Sequence, residues 1–209
     1  APRTPAIVAA LRTREHDVEL TERGRRYRRM CVLEQWRLAH GDLSRAAATV
    51  ARLRYAASSG DSAWIVGFNS YCVKLLEAWL AVARGAPEAD AALERLDSLM
   101  LAWPPLEVDD YQAIATNLVI ARLREARGDV AGALAAVRRR LYGGFFPRYL
   151  STYLREEGRL AALTGDRAGA IRPYHHYLAL RADPEPSLQP EVDRVRGELA
   201  SLMGERAPT

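Results

Sequence analysis

Between Trp64 and Ala83 the apolar residues fall at steps of three and four: Trp64, Ile65, Phe68, Tyr71, Cys72, Leu75, Leu76, Trp79, Leu80 and Ala83. A helix gathers such positions into one stripe, and a stripe this broad belongs to a helix packed on two sides. Leu43, Ala46, Ala47, Val50 and Leu53 repeat the pattern earlier, and Val192, Val195, Leu199 and Leu202 repeat it near the end. Runs of alternating β-branched residues and Asn-Gly turns are missing, so strands have no signal to start from. The pattern predicts an all-α fold. Its helices run over about residues 21–40, 43–58, 62–84, 88–101, 108–127, 130–141, 147–164, 167–182 and 188–203.

Between these helices one kind of punctuation recurs. "HGDLSRAA" at Gly41, "RGAPEADAAL" at Gly85, "RGDVAGAL" at Gly128 and "TGDRAGAI" at Gly165 follow one another at 37 to 44 residues. Glycine tolerates the left-handed backbone that closes a helix, and Asp42, Asp129 and Asp166 stand where they could cap the next one. A small residue follows about five positions on: Ala46, Ala133 and Ala170, with Ala91 or Ala92 after the longer second turn. There it lets the two helices of a hairpin approach closely. One helical hairpin per near-constant period predicts a solenoid.

Gly158, Gly165, Ala170, Tyr174 and Pro184 in the last unit lie at the intervals of the small, turn, small, aromatic and helix-stopping positions of the tetratricopeptide repeat family, which this chain resembles over roughly residues 22–182. The third unit keeps Gly128 and Ala133 but has Val137 at the aromatic position. The first keeps Gly41 and Ala46, and the second departs most, with an Ala-Pro-Glu insertion. The longer period is similar to the lengthened repeats of bacterial regulatory proteins, where such arrays follow a kinase or a DNA-binding domain.

The resemblance implies a right-handed α-solenoid of about four antiparallel hairpins, at about 21–58, 62–101, 108–141 and 147–182. A capping helix at 188–203 closes a single repeat domain over 21–203. A partly ordered lead-in at 1–20 and a disordered tail at 204–209 flank it. It also implies a cytoplasmic, non-catalytic scaffold that docks a peptide or helix in a concave groove, as the C-terminal module of a larger bacterial regulatory protein. The opening "APRTPA" agrees, reading as a fragment or a processed product. The family's register places Arg28, Cys31, Gln35, Cys72, Leu75, Trp79, Leu118, Arg122, Glu125, Arg155, Arg159 and Ala162 along that groove. An apolar patch at Trp79 beside Arg122, Arg155 and Arg159 would suit a segment bearing a carboxylate. The family's Lys/Asn carboxylate clamp is absent from these positions.

Charge changes this picture little. Thirty basic residues against 26 acidic give +4, and lysine occurs only at Lys74, which reads as codon bias rather than selection for a basic surface. Acidic and basic residues are interspersed, as on an ordinary solvated surface. The cluster "RGRRYRR" at 23–29 spreads around its helix with Tyr27 and Met30 inward, so no nucleic-acid partner is expected. The rival readings are a nucleic-acid-associated regulator touching phosphate through Arg25, Arg26 and Arg29, and a structural module that only forms homo-oligomers.

No constellation for catalysis stands out. His175 and His176 are adjacent, diverge by about 100° on a helix and cannot share a metal ion. The register turns them outward and Tyr174, Tyr177 and Leu178 inward. Glu156 and Glu157 diverge in the same way, and Asp109-Asp110 read as helix caps. Cys31 and Cys72 fit no metal spacing and read as buried free thiols. "YGGFFPRY" at 142–149 reads as a packed inter-repeat loop anchored by Phe145, Phe146 and Tyr149. Asn69, Lys74 and Glu77 interrupt the most apolar stretch, so no membrane contact is expected. No cofactor or metal is expected either.

Overall fold

The computed structural model describes residues 23–58, 63–102, 111–140 and 147–204. The lead-in 1–20, most of the turn at 58–62, Asp109-Asp110, Gly143 to Phe146 and residues 205–209 lie outside the described residues. Within them the chain is all-helical, with no strand. The helices are α1 Arg23–Ala39, α2 Ala46–Ser58, α3 Ala63–Ala83, α4 Ala89–Ala102, α5 Tyr111–Ala126, α6 Val130–Arg138, α7 Pro147–Leu163, α8 Arg167–Leu180 and α9 Gln189–Met203. No described helix is long and apolar enough to cross a membrane.

All four hairpin turns close by the same pair of bonds. The amides of Gly41, Gly85, Gly128 and Gly165 donate to carbonyls three residues back, and those of Asp42, Ala86, Asp129 and Asp166 reach five residues back. This bond pair turns the chain out of a helix, and it needs a positive φ at the glycine. The four values are 79°, 61°, 83° and 77°. Asp129 and Asp166 then cap α6 and α8, each accepting from a glycine amide three residues on (Gly132 and Gly169, both 2.8 Å). Asp42 does otherwise. Its carboxylate turns back on Ser44, accepting from the amide at 3.0 Å and the hydroxyl at 2.6 Å, and α2 begins only at Ala46. The nearby serine diverts the aspartate, so the first turn is one step longer than its sequence suggests.

The chain divides into two compact units, residues 1–99 and 100–209. In the first, α1 packs on α2 and α3, and α2 packs on α3. Leu33, Leu38, Val50, Leu53, Tyr71, Leu75 and Leu76 are buried there. Polar contacts join the same helices. Thr49 donates to the buried Glu34 at 3.0 Å, Arg37 pairs with that carboxylate at 3.2 Å, and the Arg28 guanidinium lies 5.7 Å from the Phe68 ring centre.

Cys31 of α1 and Cys72 of α3 are not free thiols but a disulfide, with Cα atoms 5.9 Å apart and both residues fully buried. Their spacing of 41 residues resembles no known framework and left the pairing invisible; α1 and α3 bring the two sulfurs together only on folding.

In the second unit α5 packs on α6 and α7, α6 on α7, α7 on α8, and α8 on α9. Tyr174 and Tyr177 of α8 are buried with Leu154 of α7 and Val192, Val195 and Leu199 of α9, while Leu178 and Leu202 pack at the margin. His175 and His176 point outward, exposed. Gly158 is a tight spot between helices: a Cβ there would lie 2.3 Å from the Tyr174 ring, so a bare backbone is what lets the ring lie across α7.

Candidate functional site

The residues expected to line one groove are divided between the units. Arg28, Gln35, Cys72, Leu75 and Trp79 belong to the first; Leu118, Arg122, Arg155 and Arg159 belong to the second. In the first unit Cys72 and Leu75 are fully buried and Trp79 nearly so. They are core and present no groove surface, a correction to the family register. The two-sided stripe of α3 is the reason, since its first-helix positions are consumed by packing within the unit. Arg28 is half-buried against Phe68, and the Gln35 amide sits 3.4 Å from the Cys31 sulfur.

In the second unit the arginines do converge, on carboxylates of the same chain. Arg159 grips Glu125 with two parallel bonds, Nη1 to Oε1 and Nη2 to Oε2, both 2.6 Å. It also donates to Glu156 from Nε at 3.1 Å and Nη2 at 2.9 Å. Arg155 takes the other Glu156 oxygen at 2.9 Å and pairs with Glu191. The Tyr177 hydroxyl completes the line by donating to Glu191 at 2.7 Å. One connected row of charge therefore runs from α5 across α7 to α9. Leu118 is half-buried and Arg122 exposed on α5.

Glu156 and Glu157 diverge as their adjacency requires. Glu156 joins this row, while Glu157 binds Arg138 at 3.4 Å and Arg140. Glu191 was not singled out in the sequence, because nothing local ties it to an arginine 36 positions away. The Glu156–Arg159 pair, three apart on one helix, carried a legible signal.

The row tunes its members. The Arg159 guanidinium, helped by Arg122, holds the Glu125 carboxyl below the usual range against its partial burial. Arg159 itself is pushed up, first by its bond to Glu125. Burial, then the bond to Glu191, pushes the Tyr177 hydroxyl up to about 12. Tyr174, which donates to Glu198, is raised by the same causes. Groups held this way are locked in their ordinary charge states at neutral pH.

Among the described residues no group of three His, Cys, Asp or Glu is arranged to hold a metal ion. Of the rival basic cluster, Arg26 is exposed, Arg29 half-buried and Met30 buried; the Arg25 side chain lies outside the described residues. Comparison with models of protein families, with curated proteins and with solved structures gives no match for this chain.

Proposed function

We propose that the chain is a non-catalytic helical-repeat scaffold, similar to tetratricopeptide repeats, whose second unit docks a protein segment along α5, α7 and α9. The observation that carries this reading is the row Glu125–Arg159–Glu156–Arg155–Glu191. Its charges are held at fixed intervals by bonds to one another, so they meet a partner without further ordering cost. The four identically closed turns support a repeat array, and the right-handed solenoid belongs to the same proposal. Because Arg155 and Arg159 already hold carboxylates, an acidic group on the partner meets the exposed Arg122 first. The segment that fits is therefore extended or helical and of mixed charge.

Selection of a random peptide library on the full chain, followed by calorimetry of the enriched peptides, tests the proposal. Arg122→Glu should weaken a selected peptide about tenfold, the loss of one charge-assisted hydrogen bond, with helicity unchanged. No saturable peptide, or peptides indifferent to this change, would overturn it. The nucleic-acid reading is separated by salt: phosphate contacts through Arg26 and Arg29 would make affinity fall steeply with ionic strength, whereas peptide docking should fall gently. The resemblance places such a module in the cytoplasm of a bacterium, as the C-terminal part of a regulatory protein. The buried Cys31–Cys72 pair favours an oxidising compartment instead, and thiol titration of protein taken from its native host distinguishes the two.

A further inference from the structure

On the second unit, away from the charge row, a cavity of about 340 Å³ opens among the end of α6, α7 and α8. Arg138, Arg140, Arg172 and His176 surround it, over a floor of the buried Leu154 and Pro173. Two of the guanidiniums are seated in advance. Arg138 donates to Asp166 at 2.8 Å and approaches Glu157 at 3.4 Å, and Arg140 pairs with the same Glu157. Gly169 makes room for this, because a Cβ there would come within 2.6 Å of Arg138 Nη2. A guanidinium has five N–H donors, so these pairings leave several on each arginine for a ligand. Arg172 and His176 stand one turn apart on α8, on the same face and both exposed.

Three guanidiniums stand against two carboxylates, Glu157 in the lining and Asp166 behind Arg138. His176 adds a further N–H donor, so the site keeps an excess of positive charge and suits an anion. A planar carboxylate is satisfied by one two-pronged guanidinium, whereas three guanidiniums, two from the end of α6 and one from α8, suit an anion with three terminal oxygens. The apolar floor excludes water beneath the ligand and strengthens each contact. We propose that this cavity binds a phosphate dianion, either free or as the terminal group of a monoester. The site is separate from the α5–α7–α9 face and does not rest on the docking reading.

The test uses the full chain with three probes: inorganic phosphate, capped O-phosphoserine and capped serine. Titration followed by calorimetry and amide shifts should give saturable binding of the first two, centred on residues 138–140 and 172–176. Arg172→Gln should weaken it about tenfold, the loss of one charge-assisted hydrogen bond, and His176→Gln should weaken it measurably. Arg196→Gln, an exposed arginine of α9, should leave it unchanged. Tighter binding of phosphoserine than of phosphate would identify a phosphorylated side chain as the source; equal binding would identify free phosphate. Absence of saturable binding, equal affinity for capped serine, or equal loss in Arg196→Gln would overturn the proposal. Arg122→Glu should spare phosphate binding, which keeps this outcome independent of peptide docking.

Discussion

Two glycines in helix interiors show what a single missing side chain decides. In a helix interior, glycine to alanine ordinarily adds about 1 kcal/mol of stability. At Gly197 of α9 a Cβ would meet nothing within 4 Å, so Gly197→Ala should give that gain. At Gly158 the same change drives a methyl into the Tyr174 ring, which is fully buried and hydrogen-bonded to Glu198, and so has no room to yield. Overpacking of this kind costs about 1–3 kcal/mol, so Gly158→Ala should be destabilising. Thermal melts of the two variants should therefore move in opposite directions. A stabilised Gly158→Ala protein would mean that the ring does not lie where the structure has it. Gly158 and Tyr174 were both legible as family positions in the sequence; that each exists for the other was not, because the contact joins two helices.

Among the elements, α1 and α3 are the pair whose relation the sequence misrepresents. Apolar surroundings predicted inert thiols at Cys31 and Cys72, and the surroundings are indeed apolar. The disulfide follows from the crossing of the two helices at those positions. Closing a loop of 41 residues removes unfolded-state entropy worth about 4 kcal/mol in the chain-entropy description. Cys72→Ala, or reduction of the native protein, should lower the stability of the first unit by that order. Denatured, unreduced protein should show no titratable thiol, and two after reduction. Two thiols before reduction would remove the crosslink. The turns were far more legible. Each is a local arrangement of a glycine, its neighbours and the preceding carbonyls, and all four formed at the glycines where the sequence placed them. Asp42 strayed because a competing donor, Ser44, also sits within two residues.

For the molecule as a whole, ionisation of the second unit sets a pH window. Glu125 titrates below its ordinary value of 4.5 when folded, so its contribution is complete above that value and is lost as pH falls through the depressed one. Tyr177 works in the opposite sense. Its folded value of about 12 exceeds 10.0, so its contribution is complete below pH 10 and lost as pH rises toward 12. Urea midpoints across pH should show a plateau falling at both ends, and Tyr177→Phe should flatten the alkaline fall. An unchanged alkaline fall in that variant would place its origin elsewhere, with Tyr174 the next group to test.

Taken alone, the sequence determined what depends on neighbours within one helical turn or one hairpin: the helices, the inward tyrosines and outward histidines of α8, the turn glycines and two of three aspartate caps. Tertiary structure alone decided the pairing of Cys31 with Cys72 and the burial of Leu75 and Trp79 as core. It also decided the capture of Arg155 and Arg159 by Glu125, Glu156 and Glu191, and the gathering of Arg138, Arg140, Arg172 and His176 around one cavity. The reason is physical. Helix propensity, capping and amphipathic pattern act over a few residues and are written consecutively, whereas the partner of a long charged side chain or a thiol is whatever the packed helices bring within a few ångströms.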